Sequence, residues 1–416
     1  MAVVKPFRGL RPPAALASDL ACLPYDVMNR EEAAKMAEGR ECSLLHVTRA
    51  EIDLPGDVDI HSEDVYRRSV ENFRKWQTKK WLVQDKEPHF YIYAQTMEGR
   101  TQFGITGCAS VEDYLNGVIK KHELTRPDKE QDRMVHVRVN NANIEPVFFT
   151  YPPVKEIDDI VKKITMNEKP EYDFTAEDGF GHHFWVVKDE KVNRQIEKLF
   201  ATKVPYTYVA DGHHRTAAAA LVGKEKRDNN PKHTGNEDYN YFLAVHFPAD
   251  QLRIIDYNRV VKDLNGHTSG EFLEKLGKRF NVTEKGEAIY KPQKLHEFSI
   301  YLEGKWYCLN APEGTYDNND PIGVLDVTIL TNQILSPVLD IQDLRRSKRI
   351  DFIGGIRGLG ELKKRVDSGE MQVAFALYPV SMDQLIKIAD SGNIMPPKST
   401  WFEPKLRSGL VIHLLE

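Results

Sequence analysis

"YTYVADGHHRTAAAALV", residues 206–222, decides how this chain is read. Tyr206 to Ala210 is β-branched and aromatic, the composition of a buried strand. Thr216 to Gly223 is rich in alanine, the best helix former, and predicts a helix. Between them stand Asp211, Gly212, His213, His214 and Arg215. Gly212 permits a sharp turn or a close approach to a ligand. The residues after it fall in a first helical turn, where unpaired N–H groups and the helix dipole favour an anion. Arg215 adds a fork of donors suited to phosphate. The two histidines add donors that titrate near neutral pH. Asp211 lies at a strand end, where open α/β sheets place ligands, and is a candidate magnesium ligand or proton acceptor. The plainer reading is a turn in which Asp211 caps the helix. Zinc is disfavoured, since no H-E-x-x-H occurs and adjacent histidines rarely share one ion.

Outward from this joint the signals alternate. Residues 29–39 and 62–83 carry apolar positions at helical spacing, with Ser62 a candidate N-cap. Strands are expected over 89–97 and 101–111 around the turn Glu98-Gly99-Arg100, then over 147–154, 182–189, 239–247 and 252–261. Helices are expected over 156–164, 190–201 and 269–280, a hairpin over 298–309 and a strand over 373–380. The stretch 120–146 is too polar for core and too long for a simple connector. It gathers Glu123, Arg126, Lys129, Asp132 and Arg133, the cations and acids that phosphoryl transfer needs, or else forms a solvated charged helix or loop. "NNAN" (140–143) reads as a turn, "RRSKR" (345–349) as an exposed helix face, and "FIGGIRGLGELKK" (352–364) as a strand, a glycine-rich turn and a helix without P-loop spacing. In "GHHFWVV" (181–187) the paired histidines point to opposite faces of a strand. The stretch 395–410, with Lys398, Ser399, Thr400 and Lys405, either closes over a pocket or packs across the surface.

The expected fold class is mixed α/β, in three segments: 1–88 mostly helical, 89–260 the core that carries the joint, and 261–416 a further α/β segment. With 416 residues, 41% hydrophobic and 29% charged, the composition is that of a globular chain with a sizeable core. A net charge of −5 argues against a nucleic-acid partner. No window approaches a membrane span, and the N-terminus lacks the apolar run of a signal peptide. Four scattered cysteines without C-x-x-C suggest neither zinc nor disulfides, so a cytoplasmic location is expected.

"ADGHHRTAAA" resembles the signature of domain-of-unknown-function family 1015. "LPYDVMNREEA", "IKKHELT", "DRMVHV", "GHHFWVV" and "MPPKSTWFEPKLRSGLV" look like its other landmarks. The D-G-H-H-R core is also similar to that of ADP-dependent free-serine kinases of the ParB/sulfiredoxin superfamily. Sulfiredoxins have a cysteine where this chain has His213, and ParB proteins have G-E-R-R, so neither redox repair nor chromosome partitioning is implied. The resemblance implies a ParB/sulfiredoxin-like core and a nucleotide-dependent kinase acting on a small hydroxyl substrate, free L-serine first. ATP or ADP with Mg²⁺ would be held by Gly212, His213, His214, Arg215, Thr216, Arg126 and Lys129, with Asp211 on the metal. Glu123, in the pair His122-Glu123, would be the base, alongside Asp211, His213 and His214 as catalytic residues; Asp26 is the alternative base. A homodimer is compatible with this reading. The competing expectations are a nucleotide-binding sensor without turnover, responding to CTP or ATP, and a phosphate-releasing hydrolase.

Overall fold

The computed structural model describes residues 1–416, which divide into two compact units. The first comprises Met1–Leu252 and Pro404–Glu416, the second Arg253–Glu403. The first unit thus takes in the helical N-terminal segment, the strands that follow and the end of the chain. The fold is mixed α/β, as expected.

A nine-stranded sheet organises the first unit. Its strands are β1 (Val4–Lys5), β2 (Tyr91–Met97), β3 (Arg100–Ser110), β4 (Ile119–Lys120), β5 (Val147–Tyr151), β6 (Tyr172–Thr175), β7 (Gly181–Val186), β8 (Thr207–Asp211) and β9 (Tyr241–Pro248). They run in the order β4-β8-β5-β9-β3-β2-β7-β6, with β1 against β3. The β2–β3 hairpin turns at Glu98-Gly99, both at positive φ. Strand β8 lies antiparallel to β5 and parallel to β4. Its pairing with β5 shifts register between Val209 and Asp211, a bulge at the strand's last turn that re-aims the final side chain.

The longest helices of this unit are α1 (Glu63–Thr78), α2 (Pro127–Asn140), α3 (Lys155–Asn167), α4 (Glu190–Lys203) and α5 (His213–Asn229). Helix α5 starts three residues earlier than the alanine run predicts and continues through the charged residues 224–229. Ala217 to Ala220 are all buried. Small side chains let this helix lie close to the chain beneath it. At Gly223 a Cβ would stand 2.4 Å from the Tyr239 carbonyl oxygen, so a mid-helix glycine is required despite its propensity cost of about 1 kcal/mol. Helices α3 and α4 bury Ile157, Val161, Ile164, Ile196 and Phe200 against Phe90, Ile92 and Ile105. The N-terminal residues have a core of their own, built from Leu20, Met28, Leu44, Val47, Phe73 and Trp76, which Ile144 and Ile412 complete.

The polar stretch 120–146 contains α2, whose N-terminal Pro127 suits a first turn that needs no N–H. Asp132, Arg133 and Asn140 on it are buried but bonded: Arg133 pairs with Asp132 and Glu145, and Asn140 donates to Ser69. Asn141 ends it in the left-handed region, the turn expected of "NNAN".

The second unit has a six-stranded antiparallel sheet of β10 (Tyr257–Val261), β11 (Asn281–Gly286), β12 (Glu297–Leu302), β13 (Lys305–Asn310), β14 (Ile350–Gly354) and β15 (Val373–Ala376), ordered β11-β13-β12-β15-β10-β14. The glycine-rich stretch after β14 leads into α6 (Leu359–Asp367), and its helix packs on this sheet through Leu359 and Leu362. "RRSKR" is not the expected helix face: residues 345–349 form turns, pinned by Arg349 on Asp263. All four cysteines are buried free thiols, and no helix is long and apolar enough to cross a membrane.

Candidate functional site

Strand β8 delivers Asp211, and Gly212 at φ +90° turns the chain directly into α5. That φ lies in a region costly for any residue with a Cβ. A Cβ here would also stand 3.2 Å from the Arg215 guanidinium. Thr216 closes the turn, its N–H and hydroxyl both donating to the Gly212 carbonyl. No side chain caps α5, so the capping role considered for Asp211 does not hold. Its carboxylate instead meets two cations: Oδ2 is 3.2 Å from Arg215 and Oδ1 is 3.3 Å from Lys405 Nζ. Burial opposes charge on Asp211, but Lys405 and then Arg215 outweigh it and hold the carboxyl at about 2.

Parallel pairing of β4 with β8 sets Lys120 opposite Tyr208. His122 and Glu123 follow directly and therefore arrive beside the turn. The His122 and His213 rings meet edge to face with centroids 4.5 Å apart. Glu123 Oε2 is 3.9 Å from His213 Nδ1, too long for a hydrogen bond, and the carboxylate is partly exposed. Burial pushes His122 down to about 4 and holds His213 well below the ordinary range. His213 Nε2 is buried without a hydrogen-bond partner.

On the other side of the turn, His214 Nε2 accepts the backbone N–H of Arg126 at 3.0 Å. Arg126 is the N-cap of α2, so the first turns of α2 and α5 converge. Arg138 pairs with Glu225 toward the other ends, so the two helices run side by side in the same direction. Two positive helix ends thus reinforce each other. Burial lowers His214 as well, with Lys129 and Arg126 adding to it. Near pH 7 the histidines of this site are neutral hydrogen-bonding groups. They do not add positive charge, as the sequence had suggested they could.

Arg215 is buried and donates to the Pro146 carbonyl at 2.6 Å, which fixes it at the start of β5. Burial disfavours its charge, but Asp26, Asp211 and Glu145 raise it above its ordinary value. Its Nε has no hydrogen-bond partner. Asp26 and Lys129 line a cleft of about 200 Å³ with Tyr25, His61, Asp132 and Arg133. Arg126 is exposed and pairs through its side chain with Asp128.

The structure therefore brings Glu123, Asp211, Gly212, His213, His214, Arg215 and Thr216 together, with Arg126, Lys129 and Asp26 on the α2 side. The His182–His183 pair stands apart, on β7 near the opposite edge of the sheet. No group of three or more histidine, cysteine or carboxylate side chains is placed to hold a metal ion. Sequence reasoning named Lys405 only as part of the stretch 395–410 and missed Glu145 altogether. Lys405 reaches Asp211 across 194 positions. Glu145 is buried between Arg133 and the Tyr25 backbone N–H, and burial raises it despite Arg215 and Arg133. Nothing local in the sequence pairs Lys405 with Asp211; the only signal for Glu145 was its place just before a strand.

Comparison with known proteins adds the following. The profile of a family described as "Protein of unknown function (DUF1015)" matches residues 4–328. No curated protein matches the chain. Among solved structures, a conserved hypothetical protein from Pyrococcus furiosus is similar at 13% identity and TM-score 0.35, over 74% of this chain and 95% of that one. A free serine kinase in complex with AMP is similar at 13% identity and TM-score 0.35, over 74% and 91%. SbnI with a C-terminal truncation, from Staphylococcus aureus, is similar at 11% identity and TM-score 0.33, over 74% and 87%.

Proposed function

Because the chain belongs to the DUF1015 family, whose description assigns no activity, we propose from the site's own chemistry that it is a nucleotide-dependent phosphotransferase acting on the hydroxyl of a small metabolite. Free L-serine is the first candidate acceptor. The observation that carries this reading is the convergence of two helix first turns around buried Arg215, with the partly exposed Glu123 carboxylate beside them.

Phosphoryl transfer asks a protein mainly to place reactants and to stabilise charge. In this reading the free N–H groups of residues 213–215, Arg215 and Lys129 hold the phosphates of ATP or ADP. His213 donates a neutral hydrogen bond, which burial keeps available across the physiological range. The acceptor oxygen attacks the terminal phosphorus, the bond to the bridging oxygen breaks, and the hydroxyl proton passes to Glu123. Asp26, on the α2 side, is the alternative base. Magnesium usually enters such sites with the nucleotide, held by one or two carboxylates, and would supply charge neutralisation on the phosphates. The residues fit it sparsely: Asp211 would have to loosen its present ion pairs to hold the metal, and Glu123 beside it is assigned to the proton.

The test is to incubate the purified chain with ATP or ADP, Mg²⁺ and hydroxyl amino acids, and to follow products by phosphorus NMR. A phosphorylated acceptor is expected, with Glu123→Gln lowering turnover by about 10²-fold or more. Tight nucleotide binding without product would instead make the chain a sensor, and inorganic phosphate without an acceptor would make it a hydrolase. Either result overturns the kinase reading.

A further inference from the structure

A cavity of about 400 Å³ lies between α3 and the sheet of the first unit, and it shares no residue with the Asp211–Thr216 turn. That volume is in the range of small-molecule sites, which are mostly apolar with a few placed polar groups. Phe103 and Ile105 come to it from β3, Val161 and Met166 from α3, and Tyr151 from the end of β5. Gln251 is fixed beside them, its Oε1 accepting the Phe103 N–H at 2.8 Å. Met166 is 73% exposed, so an adaptable apolar side chain stands at the rim.

Two polar groups of this cavity lack the partners that burial calls for. Tyr151 is 1% exposed, and its ring packs on Phe200 with centroids 5.2 Å apart, yet its hydroxyl makes no hydrogen bond. Buried tyrosines normally find a partner for that group, because stripping it of water is costly. The carboxylate of Asp158 lines the same cavity and makes neither a hydrogen bond nor an ion pair. Burial, then Asp250 and Asp159, push it above its ordinary range. The cations nearby do not answer it. Lys155 offsets the push only in part, being bonded to Asp159. Lys162 lines the cavity but is exposed and pairs with neither Asp158 nor Asp250. Arg100 turns instead to the Gln251 carbonyl. Burial, then Asp158 and Asp250, also push the Tyr151 hydroxyl up, which sets its oxygen toward these acids and so toward the cavity.

We propose that this cavity binds a small organic amine: its ammonium meets the Asp158 carboxylate and the Tyr151 oxygen, and its apolar body lies against Phe103, Ile105, Val161 and Met166. The ammonium gives both oxygens a donor and relieves the repulsion between Asp158 and Asp250. A neutral ligand would leave that repulsion standing, and an anion would add to it. The inference does not depend on the phosphotransferase reading.

The test is calorimetric titration of the full chain with phenethylamine, phenethyl alcohol and phenylpropionate, which share one apolar body and differ in the head group. The amine should bind at least about 10-fold tighter than the alcohol, as expected of a charge-assisted contact, and the carboxylate should bind most weakly. Asp158→Asn should weaken the amine by about 10-fold and leave the alcohol within about 2-fold. Tyr151→Phe should weaken the amine by about 3-fold. The Met166 methyl signal, identified by its loss in Met166→Leu, should shift in step with amine saturation. The proposal is overturned by an amine that binds no tighter than the alcohol, or by one that Asp158→Asn or Tyr151→Phe leaves unchanged. A Met166 methyl that does not move, or wild type that binds none of the three, overturns it as well.

Discussion

The tripeptide Gly-His-His occurs twice in this chain, at 181–183 and at 212–214, and the two copies do different things. In β7 the backbone stays extended. His182 turns inward to Tyr93 at 2.8 Å and His183 turns outward to Asp173 at 2.9 Å. At the end of β8, Gly212 reverses the backbone and a helix follows. There, His213 packs on His122 beside Glu123, and His214 receives the start of α2. Identical side chains serve sheet packing in one place and line a cation-rich turn in the other. The conformation of one glycine and the direction of the chain after it make the difference.

Acid should break both copies at once, with the largest effect on stability. Burial pushes His182 down to about 3 and His122 to about 4, and it also lowers His213. The folded values lie below the unfolded value near 6.5, so the unfolded chain binds more protons as pH falls. The stability of neutral burial is present above about pH 6.5 and is lost between there and about pH 4, on the order of 3 kcal/mol for a single such group. Urea midpoints at pH 7, 5.5 and 4.5 should drop steadily; a flat profile would contradict the burial of these rings.

Glycine replacement should separate the copies. Gly212→Ala places a Cβ at positive φ, costing about 1–2 kcal/mol of stability, and should weaken nucleotide binding by about 100-fold. Gly181→Ala meets Thr96 and His183 at 3.2 Å in ordinary extended backbone and should leave binding within about 3-fold. Calorimetry with ATP checks both, and equal losses would erase the distinction drawn here. Phenylalanine at the histidines should give crossed outcomes. His182→Phe, which loses the Tyr93 bond, should cost about 1 kcal/mol with unchanged turnover. His213→Phe, which removes an orphaned buried nitrogen, should keep stability within about 1 kcal/mol while turnover falls about 10-fold or more. The smallest effect is expected at Arg126. Its backbone carries the bond to His214, while its exposed side chain only pairs with Asp128, so Arg126→Ala should change ATP affinity by less than about 3-fold.

The joint at 206–222 was legible because every signal there is local: strand residues, a glycine and an alanine run. Helix α2 was harder, since its buried positions include Asp132, Arg133 and Asn140 and its apolar periodicity is weak. Pro127, in the first turn where no N–H is needed, is the local feature that marks its start in the structure. The neutrality of His213 and His214 depends on burial, which no spacing reports. Lys405 lay within a stretch singled out for its lysines, but its partner on Asp211 is fixed by sheet edges and by backbone bonds of residues 404–416 that exist only in three dimensions.

The return of residues 404–416 to the first unit has a consequence for how the protein comes into being. The first unit is interrupted after Leu252 and resumes at Pro404, so a growing chain must make the whole second unit before the first can be closed. Until then Leu10, Cys22 and Asn143 wait for backbone partners, and the apolar cluster around Leu44 lacks Ile412. The entropic cost of closing so long an interval grows only with the logarithm of its length, so equilibrium stability is little affected. Kinetics is another matter, because distant closures are slow. A nascent chain stalled before residue 404 would hold Asp211, Gly212 and Arg215 in a half-finished wall, with apolar surface open to chaperones. The arrival of residues 404–416 would seal the core and deliver Lys405 to Asp211 in one step.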